Sequence, residues 1–194
     1  MEEIFEKIWK LALPYQDKRD DIGHAETVLF YALKLIKPED ADEDIVIPAA
    51  ILHDIGWSQL PKKERLSIFG NKLSKKRIIE VQKKHEKFGV ELAKEILKKT
   101  NYNKELDDEI LEIISGHDTR EGFISKNEGI MRDADKLWRF SNKGFWADIK
   151  RNKFTPEFLL EKLRVKIDTP NFLYSETAKK IAREELGKRK QENQ

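Results

Sequence analysis

Apolar positions along the 194-residue chain recur at helical steps almost throughout. Ile4, Phe5, Ile8, Trp9 and Ala12 share one face of a helix predicted over 2–12, with Pro14 as its stop. The same period predicts helices over about 22–36, ending near Pro38, and over about 43–55, closing at Gly56. Pro48 must kink the second of these or lie close to its start. Further helices are predicted over about 74–99, 104–116, 127–141 and 175–189. Thr155-Pro156-Glu157 offers an N-cap and a first-turn proline for another, running to about 167. Pro61, Gly70 and Asn71 make 57–73 a loop with one short helix. Strand-like alternation is nearly missing, so the expected fold class is all-α, one domain of bundled helices.

The most apolar run, IVIPAAIL, leads straight into His53 and Asp54. All four histidines sit on apolar faces: His24 with Val28, Tyr31 and Leu35; His53 after Val46 and Ala49; His85 among Val81, Phe88 and Leu92; His117 after Ile110 and Ile113. Asp135 shares a stripe with Met131 and Trp138, while Asp133 points elsewhere around the same helix. A single inward histidine is ordinarily a hydrogen-bonded core residue. Four of them with carboxylates would bury several costly polar groups unless something gathers them. A metal ion does so, because it binds neutral imidazole and carboxylate. Helix neighbours diverge by about 100°, so His53 and Asp54 converge only on an ion near the helix axis, or with Asp54 bridging two ions.

The order His, His-Asp, Asp in "DIGHAETVLFYAL", "AAILHDIG" and "DADKL" resembles the HD-domain superfamily of metal-dependent phosphohydrolases. The resemblance covers about residues 15–140 and implies a helical bundle whose metal-binding core spans that range, with C-terminal helices over about 141–190 packed on it. It implies a divalent ion (Mn, Fe, Co, Ni, Mg or Zn), one or two per chain, held by His24, His53, Asp54 and Asp135. His85 and His117 occupy the order in which some members add two histidines, either for a second metal or for substrate phosphate. Asp118 is then an outer partner of a ligand or a helix cap. The implied reaction is hydrolysis of a nucleotide or other small phosphoester by metal-activated water, with Asp54 as the catalytic carboxylate. Arg19, Arg120 and Lys136 lie within five residues of these positions and are candidates for substrate binding. Similar scaffolds carry mixed-valent di-iron oxygenases, and a non-catalytic nucleotide sensor is a third reading.

Composition narrows the partners. Cysteine is absent, which removes disulfides and thiol chemistry. The 38 basic and 36 acidic residues leave a formal charge of +2, and the basic tail has no aromatic residues to stack on bases, which speaks against nucleic acid. The first residues, MEEIFEKIWKLALPYQ, lack the features of a signal peptide, and no apolar run reaches the roughly 20 residues of a membrane span. A cytoplasmic location, no membrane partner and a small phosphorylated substrate are the expectations; the oligomeric state stays open. "HEKFG" has Gly89 where a zinc-protease motif needs histidine, and no phosphate loop or nucleophile elbow occurs. Trp138, Phe140, Phe145 and Trp146 are expected to pack the C-terminal helices. The 57–73 loop, opening with Trp57, is the expected place for substrate contacts and a lid.

Overall fold

Helices with one apolar stripe must bury it against one another, and the computed structural model, which describes residues 2–70 and 73–192, does so around one core running from Phe5 to Ala182. Among the described residues there are ten α-helices and no strand. They are α1 (Glu3–Ala12), α2 (His24–Glu39), α3 (Glu43–Leu52), α4 (Lys62–Leu66), α5 (Lys75–Lys99), α6 (Lys104–Gly116), α7 (Lys126–Leu137), α8 (Asn142–Asn152), α9 (Pro156–Ile167) and α10 (Glu176–Glu192). Short 3₁₀ turns at Leu13–Tyr15, Ile55–Gln59 and Trp138–Phe140 link them. Asn71, one of the expected loop signals, lies outside the described residues.

Helix α3 is the centre of the bundle. Every residue from Ile45 to Leu52 is buried, Pro48 included, with α2, α6 and α7 packed around it. Pro48 therefore sits in the helix interior, not at its start. Side-chain caps open several helices: Asp42 on α3, Ser74 on α5, Asn103 on α6, Ser125 on α7, Ser141 on α8 and Thr155 on α9.

Three elements differ from the sequence expectation. α2 continues through Pro38 to Glu39 and stops at Asp40, whose φ of 49° is left-handed and whose N–H bonds back into the last turn. Pro38 has no N–H to give the last turn, and the helix ends one residue after it. α3 stops at Leu52, so the His53-Asp54 pair lies just beyond it, and Asp54 takes a bridge-region backbone (φ −102°, ψ 0°) ahead of the 3₁₀ turn. α8 is an unpredicted helix: the stretch expected to end at 141 breaks at Phe140, and Ser141 caps a new helix whose Gly144 lies against the Trp138 carbonyl. Trp138, Phe140 and Phe145 are buried as expected, whereas Trp146 is 40% exposed and does not serve as core.

A candidate metal centre

Each polar side chain at the centre arrives from a different part of the bundle. His24 opens α2, where Asp17 accepts from the N–H groups of Gly23 and Ala25 and so fixes the first turn. His53 and Asp54 follow α3, His85 is mid-α5, His117 ends α6 and Asp135 is in the last turn of α7. His53 still has helical backbone angles, and the chain turns at Asp54, which lets the two adjacent side chains face the same space.

The six side chains form two groups that share Asp54. Oδ2 of Asp54 is 3.1 Å from His24 Nε2 and 3.7 Å from His53 Nε2, and the two Nε2 atoms are 3.2 Å apart. Asp135 Oδ1 joins this group at 3.4 Å from His24 and 3.5 Å from His53. Oδ1 of Asp54 is 3.4 Å from His117 Nε2 and 3.6 Å from His85 Nε2, themselves 3.3 Å apart. Ligands about 2.1 Å from one cation at tetrahedral or octahedral angles stand about 3.0–3.4 Å apart, so these spacings suit a divalent ion in each group.

Tautomers strengthen the fit. Nδ1 of His53 donates to the Ala50 carbonyl and Nδ1 of His117 to that of Ile114, both at 2.9 Å, which leaves Nε2 as a lone pair when the ring is neutral. Each such lone pair faces a second imidazole and a carboxylate across little more than 3 Å. A proton or a cation is needed between them.

The electrostatics say the same. Burial opposes charge on Asp54, yet Arg19 and the histidines hold its carboxyl well below the usual range. Burial likewise opposes charge on His117, but Asp54, Asp118 and Glu86 outweigh it and bring its pKa to about 10; burial pushes His85 down to about 3. Without a cation the second group thus holds its proton on His117. Cation entry near neutral pH must displace that proton, so apparent affinity should rise with pH by about tenfold per unit for each proton released, until about pH 10. Calorimetric titration in buffers of different ionisation enthalpy checks this; no proton release at pH 7 would contradict it.

Around this centre the surrounding shell is ordered. Trp57 is buried, stacks on His85 with centroids 3.9 Å apart, and donates Nε1–H to Asp54 Oδ1 at 3.0 Å. It is a wall of the centre, and Phe69, later in the same 57–73 segment, lines the cleft. Glu86, a residue the sequence reading passed over, is buried and accepts from the N–H groups of Asp118 and Thr119 and from the Thr119 hydroxyl at 2.7–3.0 Å. It pins the turn that follows His117. Replacing it by Ala should weaken cation binding at the His85–His117 position by ~10–100-fold, while Glu86→Gln, which still accepts from the two N–H groups, should largely restore it. Equal losses in both variants, read by metal titration, would show that charge and not positioning is what Glu86 supplies.

The substrate candidates separate. Arg19 lies at the centre: Nη2 bonds Asp54 Oδ2, Nε is 3.3 Å from Asp21, and its charge is reinforced by Asp54 and Asp21 against burial. Arg120 is turned away, held by Glu112 and by the fully buried Glu128, so it braces the 117–125 segment and does not reach the cleft. Lys136 has a buried ammonium lying over Phe123 and Phe172, and burial lowers its pKa to about 8; no hydrogen bond reaches it among the described residues. Asp118 does not cap a helix: its Oδ2 is 3.7 Å from His85 Nε2 and it lines the cleft. Asp133 accepts from the N–H groups of Tyr174 and Ser175 and from the Ser175 hydroxyl, tying the entry of α10 to α7. Arg139 and Arg151, which sequence reasoning missed, also line the cleft, together with Arg19, Asp135 and Trp138. Arg151 comes from the unpredicted α8 and reaches both Asp148 and Asp21.

The family profile described as HD domain matches residues 21–139. A solved structure described as a predicted HD superfamily hydrolase, from an uncultured Thermotogales bacterium, is similar with a TM-score of 0.55 at 23% identity, over 95% of this chain and 84% of that one. A search of curated proteins found no match. No helix among the described residues is long and apolar enough to cross a membrane.

Proposed function

The chain belongs to the HD domain family, and from that premise we propose that it is a metal-dependent phosphohydrolase acting on a small phosphoester. The observation that carries this reading is the shared carboxylate: each oxygen of Asp54 faces its own pair of imidazole Nε2 atoms. His24, His53 and Asp54, with Asp135 beside the two histidines, would hold one ion, and His85, His117 and Asp54 a second. A phosphate resting on His85 and His117 would instead meet the Asp54 carboxylate, which disfavours the single-ion alternative. The imidazole-rich donor set suits Mn, Fe, Co, Ni or Zn better than Mg, which prefers oxygen ligands.

Divalent ions at this position supply a Lewis acid for phosphoryl oxygens and lower the pKa of water. The chain's own groups do the rest. Arg19 and Arg151 are pre-positioned by Asp21, Asp54 and Asp148, so their guanidinium groups meet charge developing on equatorial oxygens without reorganising. Asp118 Oδ2, at the edge of the cleft, is placed to accept a proton from attacking water or return it to the leaving oxygen. Trp57 and Trp138 wall the centre from bulk water. Three arginines on one cleft weigh for an anionic substrate.

The test is a screen of nucleoside mono-, di- and triphosphates, cyclic nucleotides and sugar phosphates with each of Mn²⁺, Fe²⁺, Co²⁺, Ni²⁺, Zn²⁺ and Mg²⁺. Turnover of at least one ester is expected, and none across the panel would sink the hydrolase reading. For the two-ion assignment, metal analysis of a His85→Ala, His117→Ala double variant should find one ion where the parent holds two; two ions in both would overturn it.

A further inference from the structure

Beside the cation cleft, and sharing Phe69 and Arg139 with its wall, lies a cavity of about 240 Å³ between the segment after α4 and helices α8 and α9. Nothing in the metal chemistry uses it. Three cations meet there: Arg139 from the turn after α7, and Lys162 and Lys166 from α9. The lysines stand one turn apart on α9, an arrangement in which like charges oppose helix formation. Their ammonium groups lie over Phe154 at 4.7 Å and Phe172 at 5.5 Å. Asp148, the acid on this wall, is already engaged by Arg151 and stands 3.9 Å from Arg139. Burial lowers the Lys162 pKa and Arg139 and Lys166 lower it further, while Asp148 opposes them.

The rest of the wall mixes aromatic and aliphatic side chains with the amides of Gln82 and Asn152. Phe69, Phe154 and Phe172 contribute rings, and Leu159 and Leu163 turn from the core to form the floor. Aromatic faces with cations around them hold flat rings by stacking and anions by charge. The volume, about 240 Å³, is below the ~300–1,000 Å³ usual for small-molecule sites and takes one flat ring system with a short appendage.

We propose that this cavity receives the leaving group of the substrate, and that this group holds both a flat ring and a second anion, a phosphate or carboxylate, which Arg139, Lys162 and Lys166 bind. The inference rests on the hydrolase reading for where the reacting phosphoryl group lies. It assigns Lys162 and Lys166 as specificity residues.

Three phosphate esters at a ribose 5-hydroxyl test it: ribose 5-phosphate, adenosine 5′-phosphate and adenosine 3′,5′-bisphosphate, assayed for loss of that phosphate. The expected kcat/KM rises on adding the ring and again, by about tenfold, on adding the second phosphate. A Lys162→Glu, Lys166→Glu variant should erase the last step; both residues are exposed, so the fold should hold, which circular dichroism checks. Equal kcat/KM for all three esters, or an equal effect of the variant on each, would overturn the cavity assignment while leaving the hydrolase reading intact. Calorimetry on Asp54→Ala protein separates the two. If none of the esters is hydrolysed but the bisphosphate still binds more tightly than ribose 5-phosphate, hydrolysis fails and the cavity stands. If binding is also indifferent, both fall.

Discussion

Asp54→Ala should empty both cation positions at once, because each of its oxygens serves a different histidine pair. The expected result is a protein that retains no ion after dialysis and whose hydrolysis falls by more than the ~10–100-fold typical of losing an outer partner of a metal ligand. Asp54→Asn is the sharper variant. Its single oxygen can still accept from Trp57 or Arg19, yet an amide cannot bridge two cations, so at most one ion should remain. Stability should respond in the opposite order. Alanine leaves the Arg19 guanidinium, largely buried, with Asp21 as its remaining carboxylate, and His117 without the neighbour that most favours its charge. Breaking a buried pair costs about 3–5 kcal/mol, and the surviving Asp21 contact places Arg19 toward the lower end. Metal analysis and thermal unfolding of the ion-free proteins read the two effects separately. Two ions retained by the alanine variant would sink the shared-carboxylate geometry.

The helices were legible because their apolar stripes are strict. Lys104–Gly116 and Pro156–Ile167 lie where period and cap signals put them, and His24, His85 and His117 are as buried as their stripe neighbours imply. The ligand cluster could be read for the same reason, since a stripe fixes which way a residue faces. Helix α8 was not legible. Its buried positions, Gly144, Phe145 and Asp148, include a glycine and an acid, so its core face hardly registers as apolar. Ser141, three residues ahead of Gly144, was the available signal. Missing α8 meant missing Arg151, and with it one side of the cleft. Arg120 failed for a different reason: nearness in sequence to His117 says nothing of a long side chain's direction, and Glu112 and Glu128 claim it. Glu86 hid behind His85 because a buried acid receiving three hydrogen bonds from a distant turn leaves no periodic trace.

Gly56 carries the remaining large effect. In the sequence it reads as the close of a helix, but in the fold it is where the 3₁₀ turn Ile55–Gln59 meets α5 backbone to backbone. A Cβ on Gly56 would stand 2.0 Å from the His85 carbonyl oxygen and 2.4 Å from the Gly89 nitrogen. Neither atom belongs to a flexible side chain, so α5 and the turn must separate. Such overpacking costs about 1–3 kcal/mol in ordinary cores, and a clash with helix backbone belongs at or above the top of that range. The displacement also has a chemical consequence. The turn continues directly from Asp54, and the clashing atom belongs to His85, so Gly56→Ala pushes apart two ligands of the same cation position. Binding at the His85–His117 position should therefore weaken more than at the His24–His53 position, which α2, α3 and α7 supply. Gly89→Ala is the internal control: its Cβ would sit 3.3 Å from an Ile114 methyl and 3.5 Å from the His53 carbonyl, a squeeze that a side-chain shift can relieve. It should cost far less in melting temperature and leave cation stoichiometry at the parent value. Comparable destabilisation by the two variants, with both cation affinities falling together, would mean that the glycine contact does not set the spacing of the second pair.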